Sequence, residues 1–328
     1  MEYRFYTLYF LFKSYKITGI KIQLNNMQKY CIIFVVVNEN QGEINYMNCD
    51  LCLKVNTFNL QFTLECGQCF RWEKTDENEY IGVIDDRVLK IRQEGENLFI
   101  WSNNKENLKE KVEYYFDIKK DYKKLEQEIS KIDDNIKQAV KFSSGIRILN
   151  QPLFETLISY IISANNNIKR ISKSVKSISE KYGKKIEFEG NEYYLFPTLK
   201  ELSCCTVEEL LKCGLGFRAK YVKHDVDALM VAPNILDVLK NCSTEKAMSI
   251  LLELMGVGPK VADCIMLFSL GKSEVFPVDV WVKRIMEKLY FRKNTTLKEI
   301  RKYSQENYGI NAGIIQQHLF YNVRVGNL

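Results

Sequence analysis

The feature that most limits how this chain can fold is a change of hydrophobic period near residue 105. From about 56 to 102, FNLQFTLEC, CFRWE, EYIGVID, RVLKIRQ and NLFIWS are short, alternating and rich in aromatic and β-branched residues. DENE, DDR and EGEN separate them. A period of two marks half-buried strands, and polar clusters between them mark turns. This predicts an antiparallel meander with one face covered. Beyond 105, apolar residues recur at helical spacing in ENLKEKVEYYF, DYKKLEQEISKI and DNIKQAVKF, and helical texture then runs almost to the end. Several of these segments end in glycine, as helices commonly do, and Thr206 with Glu209 makes a capping-box pattern. The expected class is α+β. A small antiparallel sheet domain with flanking helices spans 47–135, and an all-α domain spans 136–328.

Residues 1–46 are expected to form an extension outside the main fold, with Met47 as an alternative start. Its apolar runs, 3–12 and 31–37, are shorter than the roughly 20 residues a bilayer span needs. A chain of 328 residues, 46% hydrophobic and 27% charged, is too apolar for a disordered protein and long enough for two or three domains. The net charge of +6 permits a polyanionic partner without requiring one. No secretory signal is evident, so the ten cysteines are expected to be free thiols in a reducing compartment.

Chemistry concentrates in LMGVGPKVADC (254–264). STEKAMSILLELM precedes it as a helix, and Val261, Ile265 and Phe268 mark one face of the next. Between them, Gly256 and Gly258 make a tight turn, giving a helix–hairpin–helix whose exposed N–H groups suit a phosphate. Pro259 fits the first helical position and puts Lys260 in the first turn. A helix start disfavours an ammonium group, as does burial in a cleft. A neutral lysine amine is a nucleophile that can form a Schiff base. The plainer alternative is a lysine that only touches phosphate. Nineteen positions on, in FPVDVWVKRI, Asp279 falls at the N-cap of another helix. It is either a simple cap or a carboxylate held to stabilise a cationic sugar, and the two roles are compatible.

The stretch GVGPKVADC…FPVDV resembles the helix–hairpin–helix DNA glycosylase superfamily. GQCFRW (67–72), SANNNIKRI (163–171), GLGFRAKYV (214–222) and GIIQQHLF (313–320) narrow the resemblance to 8-oxoguanine DNA glycosylase/AP lyases of the eukaryotic type and their bacterial relatives. It covers the chain from about 50 to 328 and implies a TBP-like sheet domain before a helical glycosylase domain. It also implies that Lys260 is the Schiff-base nucleophile and Asp279 the catalytic carboxylate. On the same resemblance Gly67, Cys264, Gln316 and Phe320 bind the damaged base. Asn165, Arg170, Arg218 and Phe217 meet the orphaned cytosine, and Gly256 and Gly258 meet the DNA backbone. The implied activity is excision of 8-oxoguanine opposite cytosine, with strand cleavage 3′ to the abasic site by β-elimination. The implied partner is double-stranded DNA containing 8-oxoguanine, met by a monomer with no membrane contact, in the cytoplasm near the nucleoid if the source is bacterial. No cofactor is required on this reading, and a structural cation is expected on the hairpin carbonyls.

The sequence departs from the pattern at Trp281, where vertebrate relatives often carry histidine, at Phe217 for the commoner tyrosine, and at Gln317 and His318 beside Gln316. Cys49-x2-Cys52 and Cys66-x2-Cys69 have zinc-ribbon spacing, but the second pair brackets the Gly67 loop, so no metal is expected. No cysteine follows Cys264, which excludes a C-terminal four-cysteine iron–sulfur loop. Two rival functions stay open: a non-catalytic helix–hairpin–helix DNA-binding protein, and a related glycosylase for another damaged base such as an alkylated purine.

Overall fold

The computed structural model describes residues 49–326, with four short strand segments between 11 and 46. Those segments pair as Leu11–Phe12 with Tyr15–Lys16 and Val35–Val37 with Ile44–Tyr46, inside a unit spanning Met1–Asn48. The expected extension over 1–46 and the alternative start at Met47 otherwise lie outside the described residues.

The second unit, Cys49–Leu328, begins with a five-stranded antiparallel sheet. β2 (Trp72–Asp76), β3 (Glu79–Ile84), β4 (Arg87–Glu94) and β5 (Asn97–Ser102) form the expected meander. β1 (Leu51–Lys54) adds to the far edge of β5, with Leu51 opposite Ile100. One face buries Tyr80, Leu89, Ile91, Leu98 and Ile100 under α1 (Leu60–Glu65) and α2 (Leu108–Tyr115). The other buries Ile81, Val83 and Val88 under a hairpin, β6 (Lys185–Phe188) and β7 (Asn191–Tyr194).

Two expectations are corrected here. FNLQFTLEC is not a strand, because Asn59 accepts from Phe62 N at 2.8 Å and starts helix α1, whose buried residues are Leu60, Thr63 and Leu64. A local cap overrides the apparent alternation. The helical tract is also broken by the β6–β7 hairpin, whose turn residues Glu189 and Gly190 both have positive φ, the twist that a two-residue hairpin requires.

Among the described residues fourteen α-helices follow the first, α2 to α15. Those before the site are α3 (Tyr122–Ile129), α4 (Asp134–Ser143), α5 (Leu153–Ser163), α6 (Ile168–Tyr182), α7 (Leu199–Ser203), α8 (Val207–Lys212), α9 (Arg218–Val231) and α10 (Ile235–Asn241). The expected Thr206–Glu209 capping box starts α8. α11 (Thr244–Leu252) and α12 (Pro259–Ser269) form the hairpin pair, and α13 (Val280–Met286), α14 (Leu297–Tyr308) and α15 (Ala312–Arg324) complete the unit. The helical core takes in Tyr122, Leu125 and Ile129 of α3, ahead of the expected boundary at 135. Arg147, buried between the two cores, donates to Asp117 O at 2.7 Å and Asn56 O at 3.0 Å, with its guanidinium 4.4 Å from the Tyr122 ring centre. Among the described residues no helix is long and apolar enough to cross a membrane.

Candidate active site

The hairpin between α11 and α12 is held from behind by α9. Asp225, fully buried there, accepts from Met255 N at 2.8 Å. Gly256 has φ +80°, and a Cβ on it would stand 2.6 Å from the Tyr221 ring. Both the backbone conformation and the space therefore require glycine at 256. Gly258 is the extended N-cap of α12 and faces open space, so nothing of the protein blocks an approach to the backbone there. Pro259 takes the first turn as expected, and Lys260 follows it. The Lys260 Nζ lies 5.4 Å from the ring centre of Tyr160 on α5, and Cys264 sits one turn further along. Burial pushes the Cys264 thiol up to about 11, against the pull of the Lys260 charge beside it.

Asp279 reaches the same place from another direction. It caps α13, and its Oδ1 accepts from Val282 N at 2.7 Å. A cleft of about 770 Å³ is lined by Lys260, Asp279, Asn165, Arg170 and Trp281. The sequence separates these residues by more than a hundred positions, and the fold brings them to one concavity. Asn165 adopts a left-handed conformation, φ 51°, between α5 and α6. Asn167 then caps α6 by accepting from Arg170 N at 3.1 Å.

Arg218 is placed differently from the other residues expected to meet the opposite base. It is buried and donates to Ala164 O at 2.7 Å, Asn165 O at 2.6 Å and Leu215 O at 3.3 Å. In this arrangement it braces the 164–165 turn from behind. Phe217 is exposed, with the Arg218 guanidinium 4.3 Å from its ring centre. An aromatic ring held this way and left in solvent suits a wedge against bases.

The Gly67 loop lines a second recess of about 260 Å³, with Cys69, Phe70, Ile168, Tyr321 and Arg324. Gly67 has φ +88°, and a Cβ there would come within 3.5 Å of the Phe320 ring. Gln68 fixes this loop, donating to Arg147 O at 2.7 Å and accepting from Leu149 N at 2.9 Å. The Tyr160 hydroxyl donates to Gln68 O at 3.2 Å, so one buried tyrosine touches the Gly67 loop and underlies Lys260. Gln316 and Phe320 are one turn apart on α15 and share a face.

Sequence reasoning missed Tyr160, Asp225 and an ion pair behind Lys260. Asp263, buried on α12 one turn past Lys260, pairs with Arg301 of α14. Burial raises the Asp263 carboxyl from its ordinary 3.8 to about 7, against the opposing pull of Arg301 and then Lys260. The native state therefore holds this proton more tightly than the unfolded chain does. Its contribution to stability is greatest below about pH 4 and falls as pH rises through 7. Arg301→Met removes the partner of a buried carboxylate. It is expected to cost about 2 kcal/mol or more at pH 8.5 and much less at pH 5.5, where the carboxyl is protonated. Urea unfolding at the two pH values checks this, and equal losses at both would contradict it.

Among the described residues no three or more His, Cys, Asp or Glu side chains are gathered to hold a metal. Cys66 donates its thiol to Thr63 O, and burial pushes it up to about 12.

Residues 50–157 match the family model of the 8-oxoguanine DNA glycosylase N-terminal domain, and residues 158–309 match the HhH-GPD superfamily of base excision DNA repair proteins. A probable N-glycosylase/DNA lyase of Methanothermobacter thermautotrophicus is 33% identical, over 67% of this chain and 76% of the relative. The N-glycosylase/DNA lyase of Saccharomyces cerevisiae is 34% identical, over 74% of this chain and 71% of its own length. The crystal structure of Clostridium acetobutylicum 8-oxoguanine glycosylase/lyase, bound to double-stranded DNA with cytosine opposite 8-oxoguanine, superposes with a TM-score of 0.80. It is 41% identical and covers 86% of this chain and 100% of that one.

Proposed function

The chain belongs to the family of 8-oxoguanine DNA glycosylase/lyases, and from that premise we propose how its residues perform the reaction. It is a bifunctional enzyme of base excision repair that removes 8-oxoguanine opposite cytosine from duplex DNA and cleaves the strand. The observation that carries the assignment of residues is the shared cleft of Lys260 and Asp279.

In our reading the hairpin grips a phosphate through the N–H groups at the start of α12. The damaged nucleotide leaves the stack, at a cost of a few kcal/mol, and Asn165, Arg170 and Phe217 attend to the cytosine left behind. The Gly67 carbonyl accepts the N7 hydrogen that 8-oxoguanine has and guanine lacks. Cys264 and Phe320 flank the base, and Gln316 reads its pairing edge. The Lys260 amine bonds to C1′ as the bond from C1′ to N9 breaks, and the electron pair leaves with the base, which takes up a proton. Asp279 stabilises the positive charge that develops on the sugar. Ring opening gives an imine between Lys260 and C1′. Loss of a C2′ proton then expels the 3′ phosphate.

These steps call on no cofactor. A structural cation at the hairpin would rest on backbone carbonyls of the turn around Gly256 and Gly258. We further propose that the enzyme acts as a monomer, in the cytoplasm near the nucleoid if bacterial.

The test compares duplexes that carry 8-oxoguanine or guanine opposite cytosine. Base release and a nick at 8-oxoguanine alone are expected. A duplex that is bound and left intact would support the non-catalytic DNA-binding alternative instead.

A further inference from the structure

Gln317 stands where the chain departs from its family pattern, directly after the residue assigned to the base edge. It is 4% exposed, as is Gln316, and its Nε2 donates to Gln316 Oε1 at 2.7 Å. Its own Oε1 is buried without a partner. This amide pair has a preferred direction. If Gln317 alone were reversed, two carbonyl oxygens would face each other. If both amides were reversed, the Gln317 NH2 would be buried with two unpaired N–H groups. As it stands, Gln317 leaves its carbonyl oxygen and one N–H unpaired, one buried N–H fewer than with both amides reversed, and proteins tolerate an under-satisfied carbonyl more readily than an orphaned N–H.

The same helix turn sets where this pair sits. Gly313, one turn before Gln316, lies against α12, where a Cβ would meet Leu267 at 2.4 Å. Phe320, one turn after Gln316, lies against the Gly67 loop. The amide pair is therefore seated between the nucleophile's helix and the loop that meets the base.

We infer that Gln317 is a specificity-determining residue that fixes the direction of the Gln316 amide and so makes the site accept a guanine-type edge and refuse an adenine-type one. The inference rests on the reading that Gln316 meets the base's pairing edge. Guanine-type bases present O6 as an acceptor beside N1–H as a donor. Adenine-type bases present the reverse, an N6–H donor beside an N1 acceptor. A glutamine amide free to turn by 180° about its last bond matches either edge equally well. With Gln317 bonded to its oxygen, Gln316 offers NH2 where O6 arrives and its remaining lone pair where N1–H arrives. The Gly67 carbonyl cannot make this distinction, because 8-oxoguanine and 8-oxoadenine both carry hydrogen on N7.

The test measures single-turnover excision of 8-oxoguanine and of 8-oxoadenine, each opposite cytosine, for the natural enzyme and Gln317→Met. Methionine is close in size and cannot donate. Cleavage at a preformed abasic site, which needs Lys260 and no base, reports that the variant is folded. Gln317→Leu replaces it if that signal is lost. The expected result is a rise of about tenfold in the ratio of 8-oxoadenine to 8-oxoguanine excision, the scale of one well-placed bidentate contact. A purely structural role for Gln317 would lower both rates and leave the ratio unchanged, which would overturn the inference. Gln316→Leu separates the two levels. If it reduces 8-oxoguanine excision while Gln317→Met leaves the ratio alone, only the role of Gln317 fails. If Gln316→Leu changes nothing, the reading of Gln316 fails and the inference with it.

Discussion

Lys260→Gln is expected to reduce base release and strand cleavage together, each by on the order of 10⁴-fold or more, while duplex binding changes by only a few fold. The two activities fall together because both depend on the same covalent bond to C1′. Binding is expected to survive because the proposed phosphate contact uses the hairpin's backbone, which Asp225 and the close fit of Gly256 on Tyr221 hold in place. Lys260→Arg sharpens the result. Arginine keeps the positive charge and any phosphate contact, but its guanidinium does not act as a nucleophile at neutral pH. A variant that still cuts would place the lysine among phosphate contacts. Single-turnover assays with 8-oxoguanine opposite cytosine decide between these.

Asp279→Asn is expected to reduce base release by about 10²- to 10³-fold, the scale seen when one pre-aligned electrostatic group is lost from a transition state. The choice of asparagine matters, because Asp279 has two jobs. Its Oδ1 accepts from Val282 N and starts α13, and asparagine caps helices equally well. The melting temperature of Asp279→Asn should therefore stay close to that of the natural protein. Asp279→Ala should lose the charge and also about 1 kcal/mol of cap stability. If asparagine left excision intact, the carboxylate would be a cap and nothing more.

Much of this was legible because the relevant signals are local. The tight glycine turn, Pro259 at the helix start and Asp279 after Pro277 each declare their conformation within a few residues, and the structure carries them as read. The meander was legible for the same reason, since strands β2 to β5 are joined by short turns. Helix α1 was misread because Phe58, Leu60, Phe62 and Leu64 alternate, and only the Asn59 cap breaks the tie. The β6–β7 hairpin did carry a signal, EFEGNEYY, which the surrounding helical texture hid.

Long-range partners left no such trace. Tyr160 reads as one more core position of an apolar helix, and its hydroxyl bond to Gln68 spans 92 positions. Asp263 and Arg301 are ordinary charges in sequence, and only the packing of α14 on α12 buries them as a pair. Arg218 adds a second long-range role: its guanidinium donates to three backbone carbonyls of its own chain, a brace that the sequence does not announce.

The central claim is that Lys260 becomes covalently bonded to the sugar of the damaged nucleotide. Borohydride reduction tests it most directly. The enzyme is incubated with a duplex carrying one 8-oxoguanine opposite cytosine, reduced, digested and examined by mass spectrometry. A stable protein–DNA adduct on the peptide containing Lys260, absent with Lys260→Gln, is the expected result. Base release without any adduct, or an adduct on a different residue, would contradict the claim.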